Sequence, residues 1–395
     1  MPSQLTHVVR EHREQIIAFC QQLMQQSSLS GHEQSTADLV YAEMLALGYD
    51  TVQVDEVGNA VGTIACGGGT STLLTAHMDV IDPGDHARWR YPPFSGTLAE
   101  GYLWGRGAVD DKACLAAMIY GAGLVRKAGI VPPGPVIVAV TAGEEVGGYG
   151  AKYLATYLRP DLAIIGEPSG NTLRRGHRGK FEIVVTYHGR SVHASAPQTG
   201  LNPNFSLAKF LLALRGLPLK SDPIYGGTSV APTLLYVDQK ASNVIPAAAT
   251  IHLDWRNAPG ETIDEALAQV RALAQGCAEE GVSVSVGVPA HEEVSYTGSR
   301  HELDASFGSF DMASDDRRLL KAKTLLETEL GREMPVSVWG FCTDGGHLAQ
   351  AGIPCLGFGP GSERMAHVLD ERVALDELVE GALAYAVLAA GMGAS

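Results

Sequence analysis

The chain has 395 residues, and at roughly 150 residues per domain that is about two or three domains with a sizeable core. Hydrophobic residues make up 45% and charged residues 18%, and no stretch nears the ~18 consecutive apolar residues of a membrane span, which excludes disordered, collagen-like and membrane-spanning classes. With 29 Lys+Arg against 44 Asp+Glu the net charge is −15, which repels phosphate backbones and anionic lipid, so neither nucleic acid nor membrane is expected as a partner.

Glycine accounts for 46 residues, about 12% where ~7% is usual, as suits a loop-rich α/β enzyme with many tight turns. The six cysteines form no C-x-x-C pair and most sit in apolar contexts such as "KACLAAM" and "IPCLGFG", so they read as small buried hydrophobes in a reducing compartment. The opening "MPSQLTHVVREHREQ" carries acid and base where a signal peptide has an apolar run, and the expected location is the cytoplasm.

Apolar residues recur at helical spacing from Leu5 to Gln26, and "SLSGHEQSTADLVYAEMLALG" repeats the pattern as far as Gly48, so two amphipathic helices are predicted. The short apolar runs "NAVGTIA", "TLLTAHMDV", "PVIVAVTAG" and "DLAIIGEP" follow, with a helix at "KACLAAMIYGAGLVRKAG". Such runs, alternating with helices, indicate a sheet covered on both faces. Then "KFEIVVTYHG", "SVAPTLLYVDQ", "ATIHLDWRN" and "VSVSVGV" alternate apolar and polar residues, with helical stretches near 204–215 and 263–280. This β-α-β-β-α-β order predicts a small ferredoxin-like antiparallel sheet with helices on one face. After "RRLLKAKTLLETELG" the first style returns in "PVSVWGF" and "IPCLGFGPG", followed by a final helix from Asp376. The expected organisation is a discontinuous α/β domain, 1–178 and 291–395, with an α+β domain inserted at 179–290.

The chemistry lies at the ends of the apolar runs. His77 and Asp79 are two residues apart, which in a strand puts them on one face. Adjacent Asp110 and Asp111 precede an apolar helix and could equally be its N-cap and first-turn acid. Glu144 and Glu145 follow one run, Glu167 follows another, and His367 comes after a glycine-proline turn. Strand ends of one parallel sheet converge, and converging carboxylates repel unless a cation sits among them. A metal is the economical cation, and imidazole plus carboxylate without thiolate suits zinc, with cobalt or manganese as alternatives.

Taken in order, "TAHMDV", "GRGAVDDKA", "TAGEEVGG", "IIGEP", "GRSVHASAP", "SNVIP" and "GFGPGSERMAH" resemble the dimetal amidohydrolase and peptidase family that includes acetylornithine deacetylase, succinyl-diaminopimelate desuccinylase, aminoacylase and glutamate carboxypeptidase. The resemblance covers nearly the whole chain. It implies a zinc-peptidase-like catalytic domain with a mixed, mostly parallel sheet and an inserted lid and dimerisation domain. It also implies two divalent metals, one on His77, Asp110 and Glu167 and the other on Asp110, Glu145 and His367, with Asp110 bridging. Glu144 matches the general base that activates a water between the metals, Asp79 the acid that orients the first histidine, and a cis peptide is implied after Asp110. His193 matches a histidine that stabilises the tetrahedral oxyanion, often in the other subunit, while Arg178, Asn243 and Arg256 match substrate-binding positions. The sequence departs from the family at Asp111, where methionine is common, and at "GFCTDGGH", where Gly-Gly-Thr-Ser-Asp is more usual.

The expected function is a cytoplasmic, homodimeric two-metal hydrolase cleaving the amide bond of N-acyl amino acids or small peptides, of deacetylase, desuccinylase or dipeptidase type. An N-carbamoyl amino acid amidohydrolase shares this chemistry and differs in its products. A catalytically silent binding protein on the same scaffold is the reading from another class, and the complete set of Glu144 plus five matched ligands stands against it.

Overall fold

The computed structural model describes residues 3–394. The chain divides into two compact units, one of Met1–His177, Glu292–His301 and Phe310–Ser395, the other of Arg178–His291 and Glu302–Ser309. No helix among the described residues is long and apolar enough to cross a membrane.

The first unit is built on a mixed sheet of β1 (Thr51–Val54), β2 (Ala60–Ile64), β3 (Thr72–His77), β4 (Val136–Thr141), β5 (Leu162–Gly166), β6 (Leu173–His177), β7 (Phe310–Asp311), β8 (Val336–Trp339) and β9 (Cys355–Phe358). Their spatial order is β1-β2-β4-β3-β5-β9-β6-β7, with β8 beside β6. The central neighbours β4, β3, β5 and β9 run parallel, whereas β2 pairs antiparallel with β4 and β6 antiparallel with β9. Every residue of β3, β5 and β9 is buried, which is why these segments read as continuous apolar runs rather than alternating ones.

Helices α1 (Gln4–Glu11), α2 (Arg13–Met24), α3 (Gln34–Ala46), α4 (Lys112–Lys127), α5 (Tyr149–Tyr157), α6 (Arg317–Leu330), α7 (Gly345–Gln350) and α8 (Leu375–Gly391) belong to the same unit. The sequence predicts one helix from Leu5 to Gln26, but the chain breaks at His12, which closes α1 and precedes α2. Helix α4 is buried from Lys112 to Val125 against the sheet and α8. Gly121 allows that close approach, since a Cβ there would lie 2.7 Å from the Ala382 carbonyl. On the opposite face Leu154 and Ala155 of α5 and Leu348 of α7 pack with Leu73, Ala139, Ala163 and Ile165.

In the second unit Lys180–His188 is the central strand, flanked antiparallel by Ala248–Arg256 and Ser283–Gly287, with Ser229–Val237 outermost beside Ala248–Arg256. Phe181, Ile183, Val185 and Tyr187 point into its core, and helices Pro203–Leu214 and Ile263–Cys277 contribute Leu207, Phe210, Val270 and Ala274 to the same cluster. A capping box between Thr262 and Glu265 starts the latter helix. The β-α-β-β-α-β order is the one expected. The expected boundary at residue 291 misses Glu302–Ser309, which return to this unit because Ser306 and Phe307 pair with Phe181 and Lys180.

In β9, a Cβ at Gly357 would lie 2.0 Å from the indole of Trp339, which is itself buried and tied through Nε1 to the Pro168 carbonyl at 2.9 Å. Gly357→Ala is therefore expected to destabilise the fold by about 1–3 kcal/mol, the usual cost of overpacking. Denaturant unfolding followed by tryptophan fluorescence checks this, and an unchanged midpoint contradicts it.

Candidate metal centre

Because β3, β4, β5 and β9 are parallel neighbours, their C-terminal ends lie along one sheet edge. His77 is the last residue of β3, Glu144 and Glu145 lie in the turn after β4, and Glu167 directly follows β5. His367 follows β9 beyond a glycine-proline turn, while Asp110 lies just before α4. Strand direction thus brings His77, Glu144, Glu145 and Glu167 to one place, and two loops add Asp110 and His367.

The donor atoms form two groups that share Asp110: His77, Asp110 and Glu167 in one, Asp110, Glu145 and His367 in the other. His77 Nε2 lies 2.9 Å from Asp110 Oδ1 and 3.8 Å from Glu167 Oε1. His367 Nε2 lies 3.2 Å from Asp110 Oδ2 and 3.0 Å from Glu145 Oε1. Each oxygen of Asp110 thus faces a different histidine. The Asp110–Asp111 peptide is cis. Glu144 belongs to neither donor group, yet lines the same cleft of about 240 Å³ together with Phe341 and Cys342.

Asp79 does more here than the sequence suggests. Its main-chain carbonyl lies 3.0 Å from His77 Nδ1 and its Oδ1 lies 3.5 Å from the same nitrogen, so Nε2 is the atom turned to the cluster. Its carboxylate also accepts the backbone N–H groups of Glu144 at 3.0 Å and Glu145 at 3.1 Å, and the Ser30 hydroxyl at 2.7 Å. One buried carboxylate therefore fixes His77, Glu144 and Glu145 together. Asp111, which departs from the family pattern, accepts the His77 backbone N–H at 3.3 Å. Two residues are given no role by the sequence: Asp344 of the "GFCTDGGH" segment, buried and bonded to the Thr141 hydroxyl at 2.7 Å, and Glu371, which accepts the Asp110 backbone N–H at 3.2 Å. The signal for Asp344 is the departure of that segment from the family pattern, whereas Glu371 sits in a charged surface-like stretch with no signal.

The electrostatics describe a centre short of positive charge. Burial pushes the carboxyls of Glu144 and Glu167 well above the usual carboxylate range, and neighbouring acids push the same way. Burial works against a charged His77, yet Asp110 and Asp79 hold its pKa well above the usual imidazole value. Hydrogen bonds to Asp110 and Glu145 raise His367 to about 10. Burial disfavours the Asp110 carboxylate, but His367 and His77 together keep it well below its ordinary pKa. The two imidazoles thus offset part of the charge that the converging carboxylates bring. Hard and borderline divalent cations are the natural occupants of such an oxygen and imidazole donor set, so the residues present fit a pair of metal ions.

The remaining sequence-predicted residues lie in the second unit. His193, exposed on the short strand Val192–His193, has Nδ1 2.7 Å from Ser195 Oγ. Asn243 lies just before the strand Val244–Ile245, and its carbonyl accepts the Ala194 N–H at 2.8 Å. Arg178 donates to the Gly227 carbonyl at 3.1 Å, and Arg256 forks onto Asp254 at 2.7 and 3.2 Å.

Two histidine and carboxylate groups sharing one aspartate at one sheet edge form a candidate metal centre, and with the family match the class is a metal-dependent hydrolase. Residues 73–390 match the model of peptidase family M20/M25/M40, and the chain belongs to that family. It is 31% identical over 369 residues to succinyl-diaminopimelate desuccinylase of Paracoccus denitrificans, covering 89% of this chain and 92% of that protein. It is 26% identical over 385 residues to the uncharacterized protein YgeY of Escherichia coli, covering 96% and 94%. The solved structure of aminopeptidase PepT from Bacillus cereus shares the fold with a TM-score of 0.77 at 20% identity, covering 97% of this chain and 99% of that one.

The shifts fix a pH dependence for the metal-free protein. His367, raised from 6.5 to about 10, stabilises the folded state below about pH 6.5, and this contribution is lost as pH climbs toward 10. Glu144 and Glu167, raised above 4.5, likewise bind protons more tightly when folded, so they also make stability fall as pH rises. Metal-free protein is expected to lose melting temperature between roughly pH 6.5 and 10, with the slope reduced by divalent metal. Melting curves with and without a chelator measure this, and a slope that metal does not change contradicts it.

Proposed function

We propose that this protein hydrolyses the amide bond of N-acyl amino acids or small peptides, with two divalent ions held by His77, Asp110 and Glu167 and by Asp110, Glu145 and His367. The observation that carries the reading is the shared Asp110, whose two oxygens face separate histidines while Glu144, outside both donor groups, lines the same cleft. Two divalent ions bound there, zinc before cobalt or manganese by donor type, would acidify a water and polarise the scissile carbonyl.

Glu144 is suited to the proton's path. Its carboxylate is not needed as a ligand, and its buried position gives it high proton affinity. It accepts a proton from the attacking water and returns it to the leaving amine. Asp79 keeps Glu144 in place through the backbone bond already described. Oxyanion stabilisation falls to His193, and recognition of the substrate's carbonyl or carboxylate to Arg178, Asn243 and Arg256. The family resemblance supports these roles, and Arg256 has the fork geometry for a carboxylate, which in this chain Asp254 already occupies. The similarity to a desuccinylase supports an acyl-amino acid as substrate.

Glu144→Gln keeps size and removes the base. It is expected to retain metal while turnover falls by ~10²–10⁴, the usual worth of a general base. Elemental analysis beside a screen of N-acetyl, N-succinyl, N-carbamoyl and dipeptide substrates tests both base and substrate class. Turnover within a few-fold of the parent removes Glu144 from the role, and release of ammonia and carbon dioxide from the carbamoyl substrate alone redirects the substrate class.

A homodimer through the second unit belongs to the same reading. Its outermost strand, Ser229–Val237, exposes Leu234, Leu235 and Tyr236 at 60%, 55% and 52%, an open apolar edge of the kind proteins usually cover. Sedimentation is expected to report a dimer, and Leu235→Lys to shift it toward monomer. A fully active monomeric parent would leave His193 no role in a partner's site.

A further inference from the structure

Arg106 and Glu371 are 265 positions apart in the chain, yet form an ion pair at 2.6 Å with side chains only 4% and 0% exposed. Neither belongs to a donor group. Arg106 lies in the loop that leads to Asp110, and Glu371 lies in the segment that follows His367. Each side chain reaches the backbone of the other's segment. Glu371 Oε1 accepts the N–H of Val109 at 2.9 Å and of Asp110 at 3.2 Å. Arg106 Nη1 donates also to the carbonyl of Val368, next to His367, at 3.4 Å. The main chain adds a bond from Gly105 N–H to the Glu371 carbonyl at 2.9 Å, and the Arg106 guanidinium lies over the Trp89 ring at 5.1 Å from its centroid.

A buried ion pair adds little net stability over apolar residues of similar volume, because desolvation offsets the attraction. What this pair supplies is geometry. Asp110 and His367 both lie outside helices and strands, and His367 and Asp370 take left-handed backbone angles, φ 61° and 58°, that a non-glycine residue keeps only when its surroundings hold it. Metal ligation tolerates only ~0.2 Å of error in ligand distance. We propose that Arg106 and Glu371 form a positioning clasp that fixes Asp110 relative to His367, and so sets the affinity of the Asp110, Glu145 and His367 group for a divalent ion. The inference rests on the two-metal reading above and adds residues to it that are not ligands.

The test uses the full chain stripped of metal and titrated with cobalt(II) against a competing chelator, following the visible cobalt bands, for the parent, Glu371→Gln, Arg106→Lys and the double variant. Melting of each metal-free protein is measured in parallel. The parent is expected to take up two ions. Glu371→Gln is expected to bind one of them ~10-fold or more weakly, within the ~10–100-fold range seen when a ligand's outer partner is lost, with altered cobalt bands. Arg106→Lys should show a smaller loss, and the double variant little more than Glu371→Gln alone, because both break one clasp. Lower metal-free melting temperatures with parental affinities and bands in both single variants would overturn the clasp and leave a merely structural pair. Should Glu371→Gln fail to fold, Arg106→Lys decides, and parental affinity there overturns the proposal. A parent that binds no divalent ion overturns the two-metal reading itself, an outcome separate from the behaviour of the variants.

Discussion

Four carboxylates, Asp110, Glu144, Glu145 and Glu167, converge on a cleft beside the imidazoles of His77 and His367. Like charges at such distances in a buried setting raise one another's proton affinity and work against folding, so the scaffold must hold them there at a cost. The parallel alignment of β3, β4, β5 and β9 supplies the force, since helix-covered apolar strands leave the ends no freedom to spread. Apolar burial far from the centre thus opposes the repulsion within it, and divalent cations bound there would relieve what remains.

Rigidity is then passed outward through polar groups. Asp79 joins the ends of β3 and β4 by accepting bonds from the turn that carries Glu144 and Glu145. The Arg106 and Glu371 pair does the same for the two loops that bring Asp110 and His367. In both places a buried charge is satisfied by backbone N–H groups, a geometry that tolerates little drift.

Much of this could be seen in the sequence because apolar runs ended by His or acid are local signals. The buried strands β2–β5, β8 and β9, the discontinuous α/β organisation and the β-α-β-β-α-β order of the second unit follow from periodicity, whereas β1, β6 and β7 give no run. His77, Glu144, Glu145 and Glu167 stand at run ends, and Asp110 and His367 are matched as ligands through the family resemblance. What stayed hidden depends on contacts between distant segments. The break at His12 needs no glycine or proline, so periodicity runs across it. The return of residues 302–309 rests on a two-residue pairing with Phe181 and Lys180. Glu371 looks like one more surface acid in "VLDERVALDE", and only its burial against Arg106 reveals it. The fork of Arg256 onto Asp254, its neighbour but one on the same strand, is likewise a matter of side-chain direction.

The position of β9 has a consequence for synthesis. This strand is contributed by Cys355–Phe358, yet it lies between β5 and β6, which are made nearly two hundred residues earlier. A chain emerging from the ribosome therefore carries a sheet with a gap in its middle, and the edge of β5 that will receive β9 stays open for pairing with other chains. The same late segment brings His367 and Glu371, so the centre cannot assemble its second donor group until the gap closes. The pairing of β5 and the second donor group thus depend on the same late segment.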